Sequence, residues 1–299
     1  MTACRCAPSF VSDTSESGSD VRAYCDICPH RCSLSEGQTG LCRARVAREG
    51  RVVAQNYGRI TSMALDPIEK KPLARFHPGS KILSIGSYGC NLACPFCQNA
   101  SIAQVGEGGV AWRYLSPEDL VRIACDMRAQ GNIGIAFTYN EPLVGFEYVH
   151  DTALLAREAG LKTVLVSNGF VNEAPLAKLI PLIDAANIDL KGFDEGFYRM
   201  VGGKGEVDAV RNAIRMIADT RSCHLEVTTL VIPGENDSEQ EIDSIAAWLS
   251  GLSPDIPYHV TRFFPQHRMI DRKATPRETV YRLAAVARRH LKHVYEGNC

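Results

Sequence analysis

The sequence lacks the long apolar runs of a membrane protein. No stretch of its 299 residues approaches 18 consecutive apolar residues, so we expect no membrane-spanning helix. It also lacks an excess of charge, because 33 Lys and Arg residues oppose 34 Asp and Glu residues, for a formal net charge of −1. This balance argues against bulk nucleic-acid binding and against a polybasic membrane anchor. We therefore expect neither nucleic acid nor membrane among its partners.

The first 20 residues have no apolar stretch of signal-peptide length, so we expect a cytoplasmic protein. Residues 1–22 are rich in Ser, Asp and Thr and are predicted to be a disordered tail, in which Cys4 and Cys6 are spare exposed thiols. Cysteine is the one residue type in excess, with 12 copies. In a reducing compartment, clustered cysteines indicate metal or redox chemistry more often than structural disulfides.

Beyond a boundary placed near Arg75, apolar runs typical of buried strands alternate with helical patterns. The predicted strands are 81–87, 133–139, 162–167, 185–190, 224–232 and 258–264, and the predicted helices are 116–131, 146–160, 173–183, 206–220, 238–252 and 275–293. This alternation predicts a parallel sheet built from right-handed βαβ units, either an open doubly wound sheet or a partial barrel. In both architectures the ligand binds at the carboxyl ends of the strands. Upstream, residues 43–55 are predicted to form two short strands around a turn.

Three cysteines, Cys90, Cys94 and Cys97, lie within one loop directly after the first predicted strand of the sheet. Thiolates are natural ligands of iron–sulfur clusters, and such a loop can wrap around one cubane. No fourth cysteine follows closely, so one iron would be left open for a non-protein ligand. A structural zinc site instead takes four closed ligands. The triplet therefore favours an iron–sulfur cluster.

The C-x3-C-x2-C spacing resembles that of the radical S-adenosylmethionine (SAM) enzymes, with aromatic Phe96 before the last cysteine. The resemblance implies that the three cysteines are catalytic and hold a [4Fe–4S] cluster whose open iron chelates the amino and carboxylate groups of SAM. It also implies a reductant such as flavodoxin or ferredoxin, which supplies one electron for cleaving a sulfonium bond. The usual product is a 5′-deoxyadenosyl radical that abstracts hydrogen. The protein itself orients SAM and excludes water and oxygen.

Two later segments resemble further motifs of this family. Tyr139, Asn140, Glu141 and Pro142 follow the second predicted strand and resemble the Gly-Gly-Glu-Pro motif that holds the SAM amino group, with Asn140 in place of the second glycine. A carboxylate near a cationic ammonium is electrostatically favourable. Residues 231–237 resemble the segment that borders the adenine in activating enzymes.

The ends of the third, fourth and sixth predicted strands add further candidates for SAM binding. Ser167 and Asn168 offer a hydroxyl and an amide suited to a ribose or a carboxylate. Asp189 and Lys191 flank one residue, so both can point to the same face. They resemble the Asp-x-Lys motif of the pyruvate formate-lyase activating enzymes, where it contacts SAM. His267 resembles the histidine of a Leu-Pro-x-His motif that approaches SAM.

A second cysteine group, Cys25, Cys28, Cys32 and Cys42, lies upstream of the predicted barrel. Four thiolates fit either a closed zinc site or a fully ligated second iron–sulfur cluster. Redox disulfides, or no shared role, are the alternatives. The spacing does not decide between zinc and iron.

The order of the motifs resembles one branch of the radical SAM enzymes. CDICPHRC, GLC-x-x-R, DPIEKKPL, the cluster loop and IPGEND together resemble the AmmeMemoRadiSam-system radical SAM proteins, which are relatives of the pyruvate formate-lyase activating enzymes. The resemblance covers residues 23–297. We therefore predict an α/β protein with the disordered tail 1–22, a Cys-rich N-terminal segment at 23–75 and a partial (β/α)6 TIM-like barrel at 76–299.

Three functions follow from this pattern. The first is a glycyl-radical activase that acts on a partner protein, and the second is a radical enzyme that acts on a small molecule. In either case, SAM could instead break to a 3-amino-3-carboxypropyl radical. The third is an iron–sulfur scaffold or redox sensor that no longer cleaves SAM, which only Asn140 favours. We predict the first.

Overall fold

The structure is a computed structural model that describes residues 22–299. Residues 1–21, including Cys4 and Cys6, lie outside the described residues, so the predicted tail stays a prediction. The strands of the described part are β1 (Ala23–Tyr24), β2 (Ser33–Leu34), β3 (Arg45–Arg48), β4 (Arg51–Ala54), β5 (Arg59–Ile60), β6 (Ser62–Pro67), β7 (Lys81–Gly86), β8 (Arg113–Tyr114), β9 (Asn132–Phe137), β10 (Lys162–Ser167), β11 (Ala185–Asp189), β12 (His224–Val231), β13 (Tyr258–Arg262) and β14 (Val294–Gly297). The α-helices are α1 (Ala100–Ala103), α2 (Pro117–Asp126), α3 (Phe146–Glu158), α4 (Glu173–Leu179), α5 (Glu195–Met200), α6 (Val207–Thr220), α7 (Glu239–Leu252) and α8 (Arg277–Ala287). Across residues 22–299, every helix is too short or too polar to cross a membrane.

One large sheet organises the molecule, with strand order β14-β13-β12-β11-β10-β9-β7-β6. The seven strands from β14 to β7 run parallel, and β6 pairs antiparallel with β7 at one edge. Parallel neighbours need crossover connections, which the helices between them provide. The predicted α/β class and parallel sheet are therefore confirmed. The strands β6 and β14 stand at the two edges of this sheet.

The helices pack an apolar stripe against the sheet. In α2, the buried residues Pro117, Leu120, Val121 and Ala124 recur at helical spacing on one face. The helix begins where the sequence predicts, because the Ser116 side chain accepts a hydrogen bond from the backbone N–H of Asp119 at 3.1 Å. The six predicted helices are all present.

The Cys-rich segment packs against the barrel and contains small strand pairs of its own. Its strands β3 and β4 are the two short strands predicted around a turn, and they pair antiparallel with Val46 opposite Val53. The backbone N–H of Asn172, just after β10, donates to the carbonyl of Ile27 at 2.9 Å. The buried Arg45 side chain donates two hydrogen bonds to the carboxylate of Glu147 on α3, at 2.7 and 2.8 Å. These contacts fix the segment beside the cluster loop.

The sequence pattern does not predict β6, α5 or β14. The burial of β6 follows no strict alternation, and the strand ends in Asp66 and Pro67, which are residues typical of a connection. It begins the large sheet before the boundary placed near Arg75. The strand β14 is short and follows directly on the last predicted helix, where no turn signal separates the two.

Candidate active site

A cavity of about 840 Å³ lies at the carboxyl ends of the parallel strands. Its volume is near the upper end of the range for small-molecule sites. It brings together eleven of the residues predicted from sequence, namely Cys90, Cys94, Phe96, Cys97, Tyr139, Asn140, Glu141, Ser167, Asn168, Asp189 and Lys191. These side chains come from the last residues of β10 and β11 and from the loops after β7, β9, β10 and β11, which is where a parallel sheet places its ligands.

The three cysteines of the cluster loop are free thiols that face this one cavity. Burial raises the pKa of the Cys94 thiol to about 11 and raises the pKa of Cys90 and Cys97 as well. Buried thiols become thiolates when a metal coordinates them. In the described part of the chain, no three Cys, His, Asp or Glu side chains converge closely enough to hold a single ion. A cubane does not require the three thiolates to converge on one ion, because each of them binds a different iron.

The turn after β9 is hydrogen-bonded to both ends of the cluster loop. Tyr139 has a φ of 72°, a conformation that favours glycine, and its carbonyl accepts a hydrogen bond from Asn99 Nδ2 at 2.7 Å. The Asn140 side chain accepts from the N–H of Ser87 at 2.9 Å and donates to the carbonyl of Gly89 at 2.9 Å. The asparagine at the glycine position of the motif therefore holds the start of the cluster loop.

Glu141 is buried and joins the ends of two neighbouring strands. Its carboxylate accepts hydrogen bonds from the N–H of Asn168 at 2.8 Å, the hydroxyl of Ser167 at 2.9 Å and the N–H of Leu143 at 3.0 Å. Burial raises the pKa of Glu141 to about 7 despite these hydrogen bonds, each of which lowers it. The Asn168 amide also lies 3.6 Å from Cys90 Sγ. Glu141 thus positions the residues that border the first cysteine.

Asp189 and Lys191 form an ion pair of 2.9 Å on the wall beside Cys94. Burial lowers the pKa of Lys191, but the Asp189 carboxylate and the nearby Cys94 outweigh burial and raise it overall. The lysine therefore carries a buried positive charge. Its main-chain carbonyl accepts a hydrogen bond from Asn236 at 2.8 Å, which ties this wall to the turn after β12.

The cavity continues to a polar wall that the sequence did not reveal. Lys71 is buried and forms a 2.8 Å ion pair with Asp66, which also accepts a hydrogen bond from the Tyr139 hydroxyl at 2.6 Å. The Lys71 ammonium lies 4.7 Å from the centre of the Tyr139 ring. His259 and Glu296 line the cavity from β13 and β14. The charges of DPIEKKPL between two prolines were the only signal for this wall.

Two predicted residues and one predicted segment lie off the cavity. Pro142 begins a short 3-10 helix and lines a separate, smaller pocket. His267 is half-buried in the loop after β13 and does not line the cavity, although the next residue donates its N–H to the Pro95 carbonyl at 2.8 Å. Residues 231–237 do not line it either, whereas Leu230 does. The SAM-binding roles of all three stay predictions.

Comparison with known proteins gives consistent similarities. The family model of the radical SAM superfamily matches residues 84–246. An uncharacterized protein of Methanocaldococcus jannaschii is 36% identical over 281 residues, covering 93% of this chain and 82% of the relative. The pyruvate formate-lyase-activating enzyme of Clostridium pasteurianum is 22% identical over 181 residues, covering 57% of this chain and 72% of that enzyme. The crystal structure of a radical SAM methyltransferase from Sphaerobacter thermophilus superposes with a TM-score of 0.57 at 15% identity, covering 74% of this chain and 67% of that one.

Proposed function

Because this chain belongs to the radical SAM superfamily, we propose that it cleaves SAM reductively and that the resulting radical abstracts hydrogen from a partner protein. The observation that carries the proposal is the meeting of three free cysteines, a buried lysine and the Glu141 network in one cavity. Cys90, Cys94 and Cys97 would hold a [4Fe–4S] cluster. Once reduced, such a cluster supplies the electron that breaks a carbon–sulfur bond of SAM, most commonly giving a 5′-deoxyadenosyl radical.

The residues around the cysteines fit the charges of SAM. The positive charge of Lys191 suits the SAM carboxylate, and it lies on the same wall as Cys94. Glu141 places a carboxyl group near the first cysteine, where the SAM ammonium would bind. The Ser167 hydroxyl and the Asn168 amide line the cavity between these two walls. The apolar side chains of Phe96 and Leu230 exclude water from the reacting region.

The shape of the cavity supports a polypeptide substrate. Its lining includes Asp66 from the edge strand β6 and Glu296 from the opposite edge strand β14. The cavity therefore reaches both edges of the open sheet, where a loop of a partner protein could enter. An activating enzyme is also among the relatives of this chain. We infer a glycyl-radical activase in the cytoplasm that receives its electron from a flavodoxin or ferredoxin.

A small-molecule substrate is the second candidate, and the polar wall favours it. Lys71 is buried and pairs with Asp66, which also accepts a hydrogen bond from the Tyr139 hydroxyl, and all three residues line the cavity. A charged set of this kind suits an anionic or polar metabolite better than a backbone loop. Under this alternative the protein would need no protein partner.

The nucleoside product of the anaerobic protein tests the cleavage step. With SAM and dithionite, we expect 5′-deoxyadenosine from the wild type and from Cys223→Ala, whose buried cysteine lies outside both cysteine groups. The Cys94→Ala variant should form none. Methylthioadenosine in place of 5′-deoxyadenosine would instead identify a 3-amino-3-carboxypropyl radical.

The substrate class needs a separate experiment. The reduced protein and SAM are mixed with a candidate glycyl-radical enzyme, and the electron paramagnetic resonance (EPR) spectrum is recorded. A glycine-centred doublet that depends on SAM supports the activase. Three results together would favour the small-molecule alternative. A polar metabolite would stimulate SAM cleavage, Lys71→Ala would abolish that cleavage, and the wild type would give no glycine-centred doublet.

A further inference from the structure

The end of β13 and the loop after it concentrate positive charge, although the whole chain carries a formal net charge of −1. We call residues 262–273 the basic loop. It holds one carboxylate, Asp271, and four arginine and lysine side chains, namely Arg262, Arg268, Arg272 and Lys273. Arg272 forms an ion pair with Glu235 at 2.7 Å. Arg268 and Lys273 are exposed, and among residues 22–299 their side chains have no ion-pair or hydrogen-bond partner. These two charges are therefore free to meet a second molecule.

The basic loop contacts the cluster loop beside one of its three cysteines. The backbone N–H of Arg268 donates to the Pro95 carbonyl at 2.8 Å, and Pro95 directly follows Cys94. A path from the surface of the basic loop to Cys94 therefore crosses one hydrogen bond and then follows covalent bonds. Residues 262–273 all lie outside the lining of the active-site cavity. An electron can enter by this path, whereas a hydrogen atom taken from a substrate has to come from inside the cavity.

Two apolar side chains stand exposed among these charges. Phe264 and Ile270 are 40% and 74% exposed. The Arg262 guanidinium lies 4.6 Å from the centre of the Phe264 ring, so the ring is bordered by a cation. Aromatic residues and arginine are enriched where proteins bind one another, with polar and charged residues at the rim. The basic loop therefore has the composition of a protein-binding surface.

The second cysteine group contacts a different part of the cluster loop. Its four cysteines are free thiols that line one small cavity, namely Cys25, Cys28, Cys32 and Cys42. The carbonyl of Cys42 accepts a hydrogen bond from the N–H of Cys90 at 3.1 Å, at the start of the cluster loop. Metal binding by this group stays a prediction, and the path through Pro95 does not include it.

We propose that the basic loop is the docking surface for the protein that reduces the active site, an acidic one-electron carrier of the flavodoxin or ferredoxin class. The overall charge of the chain does not attract an acidic protein, so attraction depends on a local basic surface. The carrier loses one electron, and the cluster that Cys90, Cys94 and Cys97 would hold gains it, with no bond made or broken. Electron delivery rests on the proposed function, whereas docking can be measured without SAM.

Isothermal titration of an acidic, oxidised flavodoxin into the full chain at low ionic strength tests the docking. We expect Arg268→Glu combined with Lys273→Glu to raise the Kd about tenfold or more, because both changes replace attraction by repulsion. Asp271→Lys should lower the Kd several-fold, a gain that damage to the fold cannot produce. Added salt should weaken binding by the wild type and narrow these differences.

Lys81→Glu is the matched control for the docking experiment. Lys81 is exposed at the amino end of β7, the strand whose carboxyl end leads into the cluster loop. Its reversal changes the net charge without altering the basic loop, so the Kd should stay at the wild-type value. Equal Kd values for the wild type and the double variant, or an equal rise in Lys81→Glu, would overturn the docking surface.

Electron delivery is tested by the ratio of two rates of 5′-deoxyadenosine formation, one driven by reduced flavodoxin and one by dithionite. Dithionite is small and needs no docking surface. With flavodoxin below saturation, we expect the double variant to lower this ratio roughly tenfold and Lys81→Glu to leave it unchanged.

The other outcomes separate docking from function. An unchanged ratio beside a weakened Kd would contradict electron entry at the basic loop. An unchanged ratio with loss of the glycine-centred doublet on a partner enzyme would assign this surface to the substrate protein instead. Absence of SAM cleavage by the wild type with both reductants would contradict the proposed function, and the Kd for flavodoxin would still decide the docking surface.

Discussion

Asn140 illustrates how single residues prepare this site. Its amide group makes hydrogen bonds to the backbone of Ser87, Tyr88 and Gly89, the three residues that lead into Cys90. A glycine at this position would remove these bonds from the Ser87 N–H and the Gly89 carbonyl, whereas the Tyr88 carbonyl would keep the hydrogen bond from Asn56. The side chain that departs from the Gly-Gly-Glu-Pro motif therefore supports the cluster loop, and it gives no reason to infer a loss of SAM chemistry.

Replacing Asn140 by glycine should loosen the cluster loop. Each lost hydrogen bond of a buried group costs about 1–2 kcal/mol, and glycine adds backbone freedom. We expect Asn140→Gly to release iron to a chelator several-fold faster than the wild type. Asn140→Asp keeps the acceptor for Ser87 and should lie between the two. Equal release rates for the wild type and Asn140→Gly would contradict this role.

Lys191 is the buried cation that we assign to the SAM carboxylate. Removal of a charge-assisted contact of this kind costs about 1.5–3 kcal/mol, so Lys191→Ala should raise the Kd for SAM on the order of 10- to 100-fold. Lys162 offers a matched control, because it forms an ion pair of the same length, 2.9 Å, with Asp184 at the opposite end of the sheet. Isothermal titration of SAM should show a normal Kd for Lys162→Ala. Equal affinities for both variants would exclude Lys191 as a ligand.

At the scale of elements, two close contacts place the cysteine groups together. Gly89 has a φ of +88°, and a Cβ there would lie 2.5 Å from the Cys42 carbonyl oxygen and 2.7 Å from the Ala44 side chain. Only glycine allows this approach of the cluster loop to the Cys-rich segment. The packing of the cluster loop against the Cys-rich segment therefore requires a residue without a Cβ at position 89.

Gly89→Ala should separate the cluster loop from the Cys-rich segment, and Gly79→Ala is its control. Gly79 has a similar φ of +80° with no atom within 4 Å of its ideal Cβ. An alanine at positive φ costs about 1–2 kcal/mol in both positions. The overlap with Cys42 should destabilise Gly89→Ala by about 2 kcal/mol more and lower its iron content. Equal urea midpoints for the two variants would contradict this close packing.

Glu226 on β12 is a second link between elements. Its carboxylate is buried and accepts hydrogen bonds from His224 at 2.8 Å, His259 at 2.6 Å and the N–H groups of Ala74 and Arg75 at 3.0 and 2.8 Å. Burial raises the pKa of Glu226, but these partners outweigh it and lower the pKa to about 2. The carboxylate ties the connection after β6 to the centre of the sheet.

The stability that Glu226 contributes should therefore depend on pH. Its pKa is lowered on folding, so the contribution of about 3 kcal/mol is present above pH 4.5 and is lost as the pH falls toward 2. Urea unfolding should show Glu226→Gln less stable than the wild type at pH 7, with the difference shrinking below pH 4.5. Glu239→Gln, which alters a half-exposed pair with Arg282, should change little at either pH. A difference for Glu226→Gln that stayed constant with pH would contradict the ionised buried carboxylate.

At the scale of the whole molecule, the sequence predicts the parallel part of the sheet well because those strands are buried. All six predicted strands and all six predicted helices are present, since continuous apolar runs and amphipathic helices are strong signals. The edge strands β6 and β14 give weaker signals, because each has only one neighbour in the sheet. The cysteine loop and the ends of β9 to β11 were predicted from motifs. Lys71 and Asp66 were not, because only the fold brings that distant segment to the cavity.

The whole molecule joins a Cys-rich segment to a parallel sheet whose carboxyl ends meet in one cavity. EPR spectroscopy of the reduced protein with and without SAM, with 5′-deoxyadenosine assayed in the same sample, tests its central function most directly. We expect SAM to change the signal of the [4Fe–4S] cluster in the wild type but not in Cys94→Ala, together with formation of 5′-deoxyadenosine by the wild type. A wild-type spectrum that SAM does not alter, with no cleavage product, would contradict a SAM-cleaving site and favour an iron–sulfur scaffold or sensor.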